Sequence, residues 1–152
     1  MAITYENVFF NFVLYPLRDL FIAEYAYGNI YIAPAIIHQV PFSMRIWGMS
    51  AEKSEYVVDA HARVYSVEVA LYMIESNPGE GFYKQFYNDG ERAHQLMFEN
   101  RFTSVTVGST TLQWSDGSVN SMTINEMTTA EEAISGLHSI KLDFSCNITA
   151  SV

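Results

Sequence analysis

Cysteine is all but absent: Cys146 stands alone among 152 residues, so no intrachain disulfide can form. Basic residues are also scarce, 8 Lys and Arg against 17 Asp and Glu, for a formal charge of −9. They stand singly at Arg18, Arg45, Lys53, Arg63, Lys84, Arg92, Arg101 and Lys141. Gripping nucleic acid requires clustered cations that displace phosphate counterions, so tight DNA or RNA binding is not expected. Nowhere do about 18 uninterrupted apolar residues occur, and no membrane span is expected. The N-terminal stretch carries Glu6 and has neither a basic start nor a small-residue cleavage site, so it does not read as a signal peptide.

The usual signatures of catalysis are missing as well. There is no Gly-x-Ser-x-Gly elbow, no P-loop and no Gly-x-Gly-x-x-Gly. His38, His61, His94 and His138 do not stand at metal-ligand spacing from one another. Asp59-x-His61-x-Arg63 is the densest polar cluster, but it lacks a third ligand or a nucleophile and reads as a solvated entry to a strand. Gly79-Glu80-Gly81 is too short to cradle phosphate and reads as a turn before a helix. Glu131 and Glu132 are adjacent, so they point apart rather than pairing for acid–base work. Cys146 falls on the apolar side of an alternating strand, where a thiol acts as a small hydrophobe. Neither an enzyme nor a protein with a cofactor or metal is expected from these residues.

What is present is an apolar, aromatic chain: 49% hydrophobic, with 10 Tyr and 10 Phe. At this length a domain buries roughly 68–70% of its unfolded surface and needs no staple. The tyrosines, apolar rings with a polar tip, fit either subunit interfaces or a Tyr-rich core. Helical spacing of Val8, Phe9, Phe12 and Val13, continued by Leu17, Leu20 and Phe21, predicts a helix over Thr4–Ala26, with Pro16 kinking it or starting a second one. Short strands are expected at Asn29–Ala33 and Phe42–Met49, a polar loop at 50–60, and a long strand from Ala62 to Glu75. A second helix is read over Glu80–Asn100, with Asn88-Asp89-Gly90 as a point where it can break. Strands at Thr103–Val107 and Thr111–Trp114 precede Asp116-Gly117, a dipeptide favoured in tight hairpin turns, and Val119–Met127 is read as the returning strand. The last strand alternates most cleanly, with His138, Ile140, Leu142, Phe144, Cys146 and Ile148 inward. The order helix, strands, helix, strands gives one α+β domain over 1–152, a mostly antiparallel sheet with its helices packed on one face.

Trp47 and Trp114 both fall near expected strand ends, where a Trp packs either on something outside its own sheet or across the end of the core. The loop at 50–60 is long for a hairpin connection and holds Tyr56 and Val57 among charges, fitting a docking segment or a simple lid. Trp47, Tyr56, Val57 and Trp114 are therefore the candidate interface residues.

The helix with Pro-Leu-Arg-Asp at 16–19, the short strand and long loop, Trp114-Ser115-Asp116-Gly117-Ser118-Val119 and the alternating C-terminal strand form a familiar layout. It resembles the small tail-terminator and neck proteins of tailed phages over nearly the whole chain, at the level of element order and size. That resemblance implies a structural virion protein without catalytic residues or cofactors, forming a homohexameric ring. The ring would cap the tail tube protein, join the head-closure or adaptor protein of the connector, and assemble in the host cytoplasm. Genome DNA would pass through without tight binding, because an acidic wall repels phosphate. Glu52, Glu55 and Asp59 are the candidates for that wall. An alternative of another class is a small non-enzymatic module whose strand-end tryptophans engage a ligand or sugar.

Overall fold

The structure, a computed structural model, describes residues 2–3, 5–25, 29–33, 42–57, 60–127 and 136–151, with the backbone alone for 54–57, 60, 61, 125–127, 150 and 151. The chain enters through a π-helical segment, Phe9–Leu14, that runs directly into α1, Tyr15–Glu24. Pro16 is the local cause of that widening. Its ring has no N–H and would collide with the carbonyl four residues back, that of Phe12. A π turn moves this carbonyl aside, and the N–H of Tyr15 bonds instead to the carbonyl of Phe10. Sequence spacing thus finds the helix but not the change of winding inside it; Thr4 and Ala26, its expected ends, lie outside the described residues.

Beyond β1 (Ile30–Tyr31) come two long strands, β2 (Phe42–Val57) and β3 (Ala60–Ile74). The expected polar loop at 50–60 is corrected here. The described part of it continues β2, whose antiparallel ladder with β3 runs through Ala51–Tyr65 and Glu52–Val64 to Val57–Ala60. Polar composition there reflects a ribbon wetted by solvent, because strand preference depends on the pleated surface a residue fits more than on its polarity. α2 spans Glu80–Glu99 without a break at Asn88-Asp89-Gly90. Gly90 is in the helix for closeness: a Cβ there would stand 2.9 Å from Ile140 Cδ1 on the sheet.

A separate two-stranded sheet follows, β4 (Ser104–Val107) with β5 (Thr110–Gln113), turned at Gly108 with φ +60°. The hairpin turn expected at Asp116-Gly117 is not one. These residues lie inside β6 (Ser115–Met127), in a bulge between the pairs Ser115–Asn147 and Ser118–Ser145. Asp116 takes φ 52°, a left-handed conformation that Asp tolerates. β6 returns not on β5 but on β7 (Leu137–Ser151), antiparallel from Ser115–Asn147 to Met127–Leu137. The main sheet has the order β1-β2-β3-β7-β6, antiparallel except for the β1–β2 pair. With the two helices it makes the fold α+β, as the element order implies.

The six inward residues of β7 named above are all buried, matched across the ladder by Tyr65, Val67, Val69 and Leu71 of β3. Phe12, Leu17 and Phe21 from the first helix, and Phe86, Ala93 and Met97 from α2, belong to the same apolar cluster. Trp114, just before β6, is a further correction. It is 1% exposed, its ring centroid lies 5.6 Å from that of Phe144, and its indole N–H donates to the Phe12 carbonyl at 2.6 Å. It closes the core and is no candidate for an external interface.

This face assignment has a direct check in thermal or denaturant melting. Phe144→Ala is expected to cost about 3–5 kcal/mol, as for a buried Phe elsewhere. Asp143→Ala, one residue away on the exposed face, is expected to change stability by less than about 1 kcal/mol. Equal effects would show the faces of β7 to be reversed.

Candidate interaction surfaces

The thiol and the imidazole of β7 share its inward face and are kept apart along the strand. Cys146 is buried, and burial pushes its thiol pKa up to about 12. A nucleophilic thiol needs the opposite shift. His138 lies on the same strand eight residues away, about 26 Å at 3.3 Å per residue. Its ring packs among Phe82, Tyr83 and Phe86, with Nε2 3.3 Å from the Glu75 carbonyl. Among the described residues there is no group of three His, Cys, Asp or Glu side chains that could hold a metal ion. No described helix is long and apolar enough to cross a membrane.

One buried carboxylate stands out. Asp89 of α2 is buried, with Oδ1 accepting from Gln85 Nε2 at 3.2 Å and Oδ2 without a hydrogen-bond partner. Burial raises its pKa; the bond from Gln85 and the charge of Arg92 lower it by less. The Asp89 carbonyl accepts from the Tyr25 hydroxyl at 2.8 Å. Beside it Arg92 donates to Glu24 Oε1 at 2.7 Å and to the Glu24 carbonyl at 2.8 Å, and lies over the Tyr25 ring. The group is a latch between the end of α1 and the middle of α2.

The face of the sheet away from the helices is a different surface. The register stacks Trp47, Glu68, Asp143 and Ser121 in one row across β2, β3, β7 and β6. The next row is Ser50, Ser66, Ser145 and Ser118. A shallow cleft of about 440 Å³ lies here, lined by Met49, Ser50, Ser66, Glu68, Ser121 and Asp143. Glu68 and Asp143 are directly opposite across the ladder, an unfavourable like-charge pair. Neither has an ion-pair partner among the described residues. Sequence alternation places Glu68 and Asp143 on outward faces, but only the β3–β7 register brings them together.

The expected interface residues separate on this geometry. Trp47 is in the middle of β2, not near a strand end, and is half-buried against Ala70, Tyr72 and Leu137 on this same face. Trp114 is in the core on the other side, so the two tryptophans cannot converge on one ligand or sugar. Glu52 is exposed on β2, opposite Val64. The backbones of Glu55, Tyr56 and Val57 pair with Ala62, His61 and Ala60; their side chains and all of Asp59 lie outside the described residues, as do Glu131 and Glu132.

The fold therefore defines an α+β class in which a mixed five-stranded sheet carries helices on one face and, on the other, a polar serine-rich stretch beside a buried patch of Ala70, Tyr72 and Leu137. No family model matches the chain, and no curated protein matches it. Among solved structures it is similar to a chain of the assembly described as "Virion of native gene transfer agent (GTA) particle". The TM-score is 0.55 with 9% sequence identity, over 88% of this chain and 84% of that one. At that identity the shared property is the fold, extending over nearly the full length of both chains.

The buried carboxylate yields a pH signature. Because the folded-state pKa of Asp89 is raised above the ordinary 3.8, the folded protein binds the proton more tightly than the unfolded chain. Stability from this group is fully present below the unfolded value and is lost as pH rises through the folded pKa. Asp89→Asn is expected to raise the melting temperature at pH 7 and to lose part of the gain that the wild type makes as pH falls from neutrality toward 3.8. A variant whose pH profile parallels the wild type would place the charged form of Asp89 in water.

Proposed function

We propose that this chain is a structural protein of a phage-like virion, and within that class a ring-forming neck subunit of the tail-terminator kind. The observation that carries the reading is the fold shared with a chain of a gene transfer agent virion, a phage-like particle, over most of both chains. Copies would form a ring, a hexamer by the resemblance of the layout, between the tail tube protein and the head-closure or adaptor protein. The chemistry of the described residues supports a structural part: the one thiol is inert, the buried histidine is sealed in aromatics, and the one buried carboxylate is part of a helix latch.

Charge fits a passage for DNA in the same reading. The helix-free face carries Glu68, Asp143 and Glu52 among serines, with Arg45 and Lys141 in the row beside Glu68 and Asp143, and the three carboxylates outnumber these two cations, a balance that disfavours phosphate. Glu68 and Asp143 thus join Glu52 as candidate channel residues.

Imaging of virions that carry this protein is expected to show it as a closed ring at the head–tail junction. Finding it in the capsid shell or in fibres would remove the neck assignment. In gel-shift assays at physiological salt the isolated protein is expected to show no DNA affinity, and binding that weakens steeply with added salt would contradict the reading of its charge.

A further inference from the structure

We infer that the two open edges of the main sheet, β6 and the part of β2 beyond β1, are complementary and that each pairs with the other edge of a second copy of this chain. The inference rests on the ring reading above and specifies which surface closes the ring. In the sheet order β1-β2-β3-β7-β6, β6 is an edge along its whole length among the described residues. β1 covers β2 only at Met44 and Arg45, so among the described residues no strand pairs with the outer side of β2 from Ile46 to Glu52. Edges of this kind present a row of unpaired N–H and C=O groups, and proteins that must stay monomeric guard them with Lys or Pro. Neither residue occurs between Ile46 and Glu52, nor anywhere in β6.

Apolar burial falls away at these same edges. Ile140 and Leu142 of β7 are fully buried, whereas their partners on β6, Ile124 and Met122, are 42% exposed and half-buried. At the other edge Met49, the bulged residue of β2, is 59% exposed. One more strand along each edge would cover these residues.

The occupant is fixed by polarity. β2 runs antiparallel to β3, β3 to β7 and β7 to β6, so β2 and β6 run in opposite directions. Repeating the sheet sideways therefore sets the β2 of one copy antiparallel to the β6 of the next, with the helices on the same side of every copy. The contact joins two different edges, so it leaves one of each open until the chain of copies closes into a ring. Area argues for closure too. Seven strand residues present an edge of roughly 23 by 10 Å, or about 230 Å² per partner. A stable pair needs about 800 Å² per partner. Two copies alone would separate, whereas a closed ring holds every copy on both sides.

The test compares the full-length chain across a concentration series by native mass spectrometry and amide hydrogen exchange. A closed oligomer without a ladder of dimers and trimers is expected. In it, exchange at 46–52 and 119–127 should slow by about tenfold or more relative to the monomer. Ser121→Lys puts a guarding charge on β6, opposite Asp143 and so without a like-charge neighbour across the ladder, and should abolish the oligomer while the melting of the monomer is not lowered. Asn120→Pro, at the bulge residue that has no partner on β7, is the second variant should the first fail to fold. An oligomer whose edges exchange as in the monomer, or one that survives a folded edge variant, overturns the edge contact and leaves the ring reading standing. A chain that stays monomeric up to about 1 mM also overturns the edge contact. Imaging of virions then decides the ring reading independently.

Discussion

Pro16 cannot donate a backbone hydrogen bond, and the carbonyl that an α-helix would have given it, that of Phe12, is left open in the middle of the core. A buried carbonyl without a partner costs about 1–3 kcal/mol. Trp114 closes it: the indole N–H donates to Phe12 at 2.6 Å while the ring packs on Phe144. The Trp114 backbone N–H also bonds to the Thr103 carbonyl, which ties the β4–β5 hairpin to the same point. One side chain thus joins the widened first helix, the last strand and the small sheet, and the core is assembled around it.

That arrangement decides which surfaces are left for function. Because Trp114 and both helices are spent on one face, the opposite face of the sheet carries Trp47 with Ala70, Tyr72 and Leu137, the serine rows, the facing carboxylates Glu68 and Asp143, and the cations Arg45 and Lys141 in the row beside them. A sheet buried on one side and polar over part of the other has two uses in an assembly. Its face can border a wet passage, and its edges can be continued by a neighbour. Both agree with a structural protein of a virion, and both use backbone and surface polarity rather than a reactive group.

Much of the fold is legible in the sequence where periodicity is strict. β7 alternates over its whole length, and its inward set is the buried set. α2 is legible too, although Asn88-Asp89-Gly90 reads as a break because the sequence does not show that Ile140 needs the space beside Gly90. The misread segments share one cause. Residues 50–57 and Asp116-Gly117 have the composition of loops, yet a ladder partner holds each in a strand: the neighbouring hairpin strand β3 for the first, and β7, remote in sequence, for the second. The candidate site is less legible for the same reason. Trp114 reads as a strand-end residue because nothing local marks Phe12 as its acceptor, and Glu68 meets Asp143 only through a register fixed by tertiary packing.

The account turns on Trp114 serving the carbonyl that Pro16 leaves open, and a double-mutant cycle measures this directly. Trp114→Phe keeps most of the ring but removes the donor. Pro16→Ala restores an N–H four residues beyond Phe12, so the helix can bond that carbonyl itself. The cost of Trp114→Phe, about 1–3 kcal/mol in the wild-type chain, is expected to fall clearly in the Pro16→Ala background, giving a coupling of about 0.5 kcal/mol or more. Equal costs in the two backgrounds would contradict the account, because Trp114 would then stabilise the core by its bulk alone.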